Sequence, residues 1–474
     1  MKINCIKTNI ALVVLLMACL GARAQQIADR LDSLMHALYT RGQFNGSILV
    51  SVGGKKIYQG SYGKADLKAN ADFTDTTPCY LASLSKQFTA MAIMILRERK
   101  LLSYDDPIIK YLPELSSYAQ NVTIRHLLNH TSGVVNYESL GIDHPGLSNK
   151  DVYDRLAKET SLRFTPGDKY EYSNSGYVLL AIIIEKVSGI SYAEFVEENI
   201  FTPLGMKDSF VFGRSTAHSK FGAIGYGKFG DIDDNPGFTV GDGGICSTVE
   251  DMGKWDAALY GNQLVGQSAL SDAFSPAVLN NGTTVPYGFG WMLKTENNDP
   301  VVYHTGGSGG FRTYIERDLK TRNSIIILTN NENSPRTEIR NAIVNILANR
   351  PYTLPKSSIA IEMYRVRNEN GIDSAINFYN SNKLGNKDAY DFSEQELNLL
   401  GYKLWSVKKI GEAIEIFKLN TVAYPGSSNA CESLGEAYLE HGDRQLAVEC
   451  FNKSLSIDPQ NSDAIRMLKK INNQ

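Results

Sequence analysis

Residues 79–98 read CYLASLSKQFTAMAIMILRE. The apolar residues Phe88, Met91, Ala92, Ile95 and Leu96 recur at helical spacing, which predicts a buried helix beginning close to Ser83 and carrying Lys86 one turn further along the same face. A hydroxyl and an amine are thereby set side by side. At a helix start, unpaired backbone N–H groups and the positive end of the helix dipole lie where an attacked carbonyl develops negative charge. Ser-x-x-Lys also occurs at Ser61/Lys64 and Ser406/Lys409. Ser61 falls in a strand-to-turn segment and Ser406 in a helical repeat, so Ser83 alone opens a long apolar helix.

The chain has 474 residues, 43% of them hydrophobic, enough for two domains with packed cores. A formal net charge of -3 offers no basic face for nucleic acid. Lys2 and Lys7, an apolar run from Ile10 to Leu20 and then Ala22-Arg23-Ala24 predict a secretory signal over residues 1–24, cut after Ala24, and a secreted or periplasmic protein. The run is too short for a membrane span, which needs roughly 20 residues. Lipidation at Cys19, after Leu16-Met17-Ala18, is the alternative fate of this segment. Cys79, Cys246, Cys431 and Cys450 remain after cleavage, with no metal-like C-x-x-C pair. Cys431 and Cys450 could face each other across a helical hairpin, but four sparse cysteines predict buried free thiols.

Gly46 to Tyr62 reads as a hairpin turning at Gly53-Gly54. After Pro107 comes a mostly helical region punctuated by Pro113, Pro145, Pro166 and Pro203, with its clearest helices at Asp151–Lys158 and Tyr177–Val187. Gly241 to Thr248 makes a tight return, followed by a helix through Trp255. Val301–Thr305, Phe311–Ile315 and Ser324–Thr329 then read as consecutive antiparallel strands, separated by the glycine-rich loop 306–310 and by Asp318–Asn323. One sheet closed by the two ends of a domain spanning 27–350, with a helical lobe inserted, accounts for this order.

Pro351 and Pro355 mark a linker over 351–360. Beyond it, Gly401, Ala413, Phe417 and Pro425 recur 34 residues later as Gly435, Ala447, Phe451 and Pro459, the period and residue types of a tetratricopeptide repeat. The repeats fall at 394–427 and 428–461 of an all-α domain over 361–474, and Ile361–Asn380 supplies a degenerate helical pair before them. Such an array offers a groove to a peptide or protein partner, or serves only as a packing or dimerisation appendage.

Two further motifs complete a site around Ser83. Tyr172-Ser173-Asn174 lies in the polar stretch 167–177, GDKYEYSNSGY, just before a helix, and His304-Thr305-Gly306-Gly307 ends a predicted strand. In this order the three motifs resemble the serine β-lactamase and penicillin-binding-protein superfamily, most nearly the class C β-lactamase-related branch that includes D-amino-acid peptidases and esterases. LLNHTSG at 127–133, FTPG at 164–167 and PLGM at 203–206 are similar to the same branch. The resemblance implies an α/β (α+β) fold, an antiparallel sheet flanked by helices beside an all-helical lobe. It also implies that Ser83 attacks an amide or ester and that Lys86 and Tyr172 take its proton. Tyr172 is the candidate general base, lowered in pKa by the neighbouring ammonium. The N–H groups of Ser83 and Gly307 would hold the oxyanion, and Asn174, His304, Thr305 and Gly306 would contact a small-molecule or peptide substrate. This chemistry requires no cofactor and no metal.

The family's Lys-Thr-Gly is His304-Thr305-Gly306 here. A permanent cation for a substrate carboxylate is replaced by a ring mostly neutral near pH 7, which favours an esterase or peptidase over a class C β-lactamase or a D-Ala-D-Ala carboxypeptidase. Gly306-Gly307-Ser308-Gly309-Gly310 also matches G-x-S-x-G, but a nucleophile elbow needs a helix after the turn, where Phe311–Ile315 reads as a strand. His126 and His130, spaced i, i+4, lack the Glu of a zinc motif and read as polar or capping residues. A non-catalytic cell-envelope binding protein using its repeats is the reading from a different class; the presence of Ser83, Lys86 and Tyr172 argues against it.

Overall fold

The computed structural model describes residues 23–472 except 143, 145, 214–221 and 235–238. The signal segment through residue 22, with Cys19, lies outside the described residues. The chain forms two compact units, Met1–Leu354 and Pro355–Gln474.

The first unit is built on a six-stranded antiparallel sheet whose strands come from both ends of the segment. Its strands are β1 (Gly46–Val52), β2 (Lys55–Tyr62), β3 (Met292–Glu296), β4 (Asp299–Ser308), β5 (Phe311–Asp318) and β6 (Ser324–Thr329), in the spatial order β3-β4-β5-β6-β1-β2. Gly53 and Gly54 both have positive φ, 60° and 75°, as a two-residue hairpin between twisted strands requires. Side chains alternate between two buried faces. Ile48, Val50, Ile325 and Ile327 pack with Leu31, Leu34, Ile339 and Ile343 of helix α1 (23–40) and a C-terminal helix, described below. Leu49, Ile326 and Leu328 face the opposite way, into the larger core shared with the inserted lobe.

The central helix of that core, α2 (Ser85–Glu98), is buried from Ser85 to Leu96, and its Ala, Met and Leu residues are strong helix formers. It ends at Lys100, whose φ of 61° lets the Lys100 N–H reach Arg97 O at 3.0 Å and the Leu101 N–H reach Leu96 O at 3.0 Å, a Schellman closure without glycine. In the lobe, α3 (Asn174–Ser188) packs against α2, and α4 (Val249–Ala258) returns the chain to the sheet. The C-terminal helix α5 (Arg336–Leu347) covers the outer face.

The glycine-rich stretch after His304 departs from the sequence expectation of a five-residue loop. Strand β4 continues through Gly306 and Gly307 to Ser308, which pairs with Phe311, so the turn is only Gly309-Gly310. Gly306 keeps the strand because nothing larger fits there. A Cβ on it would lie 2.1 Å from Thr313 Oγ1 and 2.2 Å from Leu81 O, in the turn that carries Ser83.

The second unit is all helical apart from a short parallel bridge, Ser357–Ser358 against Tyr390–Asp391. Its helices are α6 (Ile359–Asn370), α7 (Ile372–Gly385), α8 (Glu394–Ser406), α9 (Ile410–Ala423), α10 (Ser428–His441), α11 (Arg444–Ile457) and α12 (Ser462–Asn472). The bridge and the start of α6 fall inside the stretch read from sequence as a linker, because the prolines that break the pattern stop at Pro355. The repeat glycines have a steric cause: a Cβ on Gly401 would lie 2.4 Å from the Phe417 ring, and one on Gly435 2.9 Å from the Phe451 ring. All four described cysteines are free thiols; Cys450 is partly exposed and the other three are buried. No described helix is long and apolar enough to cross a membrane.

Candidate active site

Ser83 sits on a single 3-10 turn, Ala82–Leu84, immediately before α2. The preceding residue, Ala82, has a φ of 50°, a left-handed conformation that costs a residue with a Cβ roughly 1–2 kcal/mol. Neighbouring structure holds it there. The Leu81 N–H donates to Ile245 O at 2.8 Å, and Thr313 Oγ1 on β5 donates to Leu81 O at 2.8 Å. The nucleophile candidate is thus clamped between the lobe and the sheet.

Lys86 is fully buried. Its Nζ donates to Ser83 Oγ at 3.2 Å, to Asn174 Oδ1 at 2.7 Å and to the Asp242 backbone carbonyl at 2.8 Å, which uses all three ammonium protons. Burial lowers its pKa to about 8, against the opposing pull of the Asp242 and Glu138 carboxylates. At pH 7 roughly one molecule in ten therefore carries a neutral amine that can accept the Ser83 proton.

Tyr172 presents the face of its ring to Lys86, with Nζ 4.9 Å from the ring centroid. Its hydroxyl is buried and makes no well-formed hydrogen bond. Burial pushes its pKa above the usual phenol value; the nearby Ser83 hydroxyl works against this, and the Asp242 and Glu138 carboxylates add to it. This corrects the expectation that the ammonium draws Tyr172 toward phenolate: the cation meets the ring and not the oxygen, so the phenol is neutral at pH 7.

Asn174, the first residue of α3, does more than contact Lys86. Its Nδ2 donates to Glu138 Oε1 at 2.8 Å, and Asn136 Nδ2 donates to Glu138 Oε2 at 2.9 Å. Two side-chain amides thereby hold an exposed carboxylate near the Lys86 amine. Sequence reasoning did not single out Glu138. A lone acid in a loop carries no periodic or motif signal.

His304 is 1% exposed and both its nitrogens are engaged. Nδ1 lies 2.7 Å from Thr305 O and so carries the proton, which leaves Nε2 to accept from the Tyr287 hydroxyl at 3.1 Å. Burial and then the Lys86 charge lower its pKa to about 3. The ring is therefore neutral at pH 7, with its nitrogens committed to Thr305 O and the Tyr287 hydroxyl. Thr305 is half-buried and Gly307 is exposed. Since β3 pairs with β4 only as far as Tyr303, the segment His304–Ser308 lacks a strand partner on that side. Arg336 Nη1 donates to Gly306 O and, at 2.9 Å, to Thr313 O, pinning this end of the hairpin.

The other sequence candidates resolve differently. His126 Nδ1 accepts the Thr123 N–H at 3.2 Å in a helix capping box, and His130 Nδ1 accepts the Ser173 N–H at 3.1 Å. Their Nδ1 atoms serve the backbone, and the His130 ring, its centroid 4.2 Å from that of Tyr172, props the Tyr-Ser-Asn loop. Ser308 is followed by a strand and not by a helix. Ser61 is bonded to Asp75, and Ser406 closes the last turn of α8 on Lys403 O.

The profile of the Beta-lactamase family matches residues 28–350, and that of the tetratricopeptide repeat matches 428–461. The chain belongs to the β-lactamase family, as a serine hydrolase of the penicillin-binding-protein superfamily with a C-terminal tetratricopeptide repeat. It is 36% identical to penicillin-binding protein 4* of Bacillus subtilis (strain 168) over 356 residues, 70% of this chain and 78% of that protein. It is 25% identical to the D-aminopeptidase of Gluconobacter oxydans (strain 621H), over 65% of this chain and 60% of that one. Among solved structures it is similar to the D-amino acid amidase of Ochrobactrum anthropi SV3, with a TM-score of 0.58, 26% identity, and coverage of 69% of this chain and 99% of that chain.

Proposed function

We propose that this protein is an envelope or secreted hydrolase that cleaves amides or esters through a Ser83 acyl-enzyme, and that its substrate carries a free amine close to the scissile carbonyl. The hydrogen bond between Lys86 and Ser83, with Lys86 lowered to about 8, carries the catalytic part of this reading. Neutral Lys86 takes the Ser83 proton as Oγ bonds to the carbonyl carbon. The N–H groups of Ser83 and Gly307 receive the oxyanion, a contribution of about 10²- to 10³-fold per donor in serine hydrolases. Collapse breaks the bond to the leaving group, which takes the proton that Lys86 received from Ser83. In deacylation the neutral Lys86 and Tyr172 pair removes a proton from water as water attacks the acyl carbon, and Ser83 leaves with that proton.

The Glu138 carboxylate supports the substrate assignment. It stands exposed beside Asn174, fixed by two amides, where a substrate ammonium would find it, while the neutral, buried His304 withholds the cation a substrate carboxylate would need. The D-aminopeptidase and D-amino acid amidase relatives point to the same class of amine-bearing substrate. The predicted secretory signal supports the envelope placement.

Intact-mass detection of acyl adducts tests the nucleophile, using a p-nitrophenyl ester, a β-lactam and D-phenylalanine amide on wild type, Ser83→Ala and Ser308→Ala. Adducts or turnover lost only in Ser83→Ala are expected; loss only in Ser308→Ala overturns the site. Glu138→Gln should reduce kcat/KM for D-phenylalanine p-nitroanilide by about tenfold or more relative to that for the N-acetylated substrate, the scale of one charge-assisted hydrogen bond, because the accompanying shift of Lys86 acts on both substrates alike. Equal losses on both substrates would remove Glu138 from amine recognition.

A further inference from the structure

The second unit contains a groove that the hydrolytic chemistry does not use. It encloses about 500 Å³ between α8, α10 and α12, lined by Tyr402 and Trp405 of α8, Glu436 and Glu440 of α10, and Met467 and Lys470 of α12. The Tyr402 and Trp405 rings lie nearly parallel, at 17°, with centroids 6.0 Å apart. Tyr402 is 41% exposed, yet its hydroxyl is tied to Glu436 Oε2 at 2.9 Å and to Ser433 Oγ at 3.0 Å. An aromatic face is thus fixed in place and left open.

The charge beside this wall has one dominant sign. Glu432, Glu436 and Glu440 recur every four residues along α10 and share a face. Their crowding is felt within the unit: burial raises the Glu432 carboxyl above its usual range, and the charges of Glu436 and Asp463 raise it further. Neither Glu436 nor Glu440 pairs with a cationic side chain among the described residues. Lys470, exposed at the rim, is a cation set against this trend.

We propose that this groove binds a peptide segment bearing arginine, or less tightly lysine, with the cationic group over the Tyr402 and Trp405 rings and bridged to Glu436 and Glu440. A cation over an aromatic face gains most when the ring is tryptophan, and a planar guanidinium can stack on a ring while its N–H groups meet carboxylates. The aliphatic stem of such a residue suits the apolar Met467 side of the groove. Carboxylate- or phosphate-ended partners are repelled by the α10 glutamates.

Calorimetric titration of the full chain with acetyl-Gly-Arg-Leu-Arg-Gly-amide, and with the same peptide carrying Glu for Arg, tests this. The arginine peptide should bind and the glutamate peptide should not. Glu436→Gln/Glu440→Gln should weaken binding about tenfold or more, with circular dichroism and ester turnover unchanged. Lys470→Glu should tighten it several-fold, and salt at about 0.5 M should weaken it. The proposal is overturned if wild type does not bind the arginine peptide, if the double variant binds it equally, or if Lys470→Glu weakens it. Spermine displacing the peptide at equal concentration would give the groove to polyamines and overturn the peptide assignment.

Discussion

Replacing Gly306 with alanine is the sharpest perturbation of the site, because it adds one methyl group and touches no reacting atom. The new Cβ would stand 2.1 Å from Thr313 Oγ1 and 2.2 Å from the Leu81 carbonyl oxygen. The threonine hydroxyl can rotate away; the carbonyl is main chain, two residues before Ser83. Restoring van der Waals separation requires the turn and the strand to part by roughly 1 Å. Overpacking of this kind costs about 1–3 kcal/mol, and 1 kcal/mol lowers Tm by about 2–4 °C in domains of 150–250 residues, so a fall of roughly 2–12 °C is expected. A 1 Å misplacement of a nucleophile from its oxyanion donors can cost about 10²-fold in rate. The assay is kcat/KM on a p-nitrophenyl ester beside a thermal melt, with Gly307→Ala as control, since a Cβ there meets nothing nearer than Arg312 Nη1 at 3.7 Å. Gly306→Ala with turnover within twofold of wild type and an unchanged melt would refute the close-approach account.

Two further predictions concern ionisation and the repeats. With Lys86 as the base at a pKa of about 8, the active form is the deprotonated one, so kcat/KM on a neutral ester should rise about tenfold per pH unit below that value and level off above it. Glu138→Gln removes a charge that raises Lys86, and should move this limb to lower pH; a flat profile from pH 6 to 9 would exclude Lys86. In the second unit, Gly401→Ala should destabilise more than Gly435→Ala, by about 1–3 kcal/mol against a smaller loss in chemical denaturation, because its Cβ would meet Phe417 at 2.4 Å whereas that on Gly435 meets Phe451 at 2.9 Å. Equal losses would mean that the helix pairs shift apart freely.

Much of this organisation can be read in the sequence because it is carried by short-range periodicity. Helical spacing after Ser83 sets Lys86 one turn from a serine at a helix start. Alternation and glycine pairs mark the strands, and a 34-residue period marks the repeats. What tertiary structure alone decided lies in contacts between distant residues. Lys86 meets Asn174 across 88 residues and the Asp242 carbonyl across 156. Tyr287 claims His304, Asn136 and Asn174 hold Glu138, and Gly306 abuts Leu81. The sequence shows which groups can titrate and the order in which the motifs occur. Whether Lys86, Tyr172 or His304 holds its proton depends on how far each is removed from water and which charges surround it, and those quantities exist only once the sheet and the lobe have closed on one another.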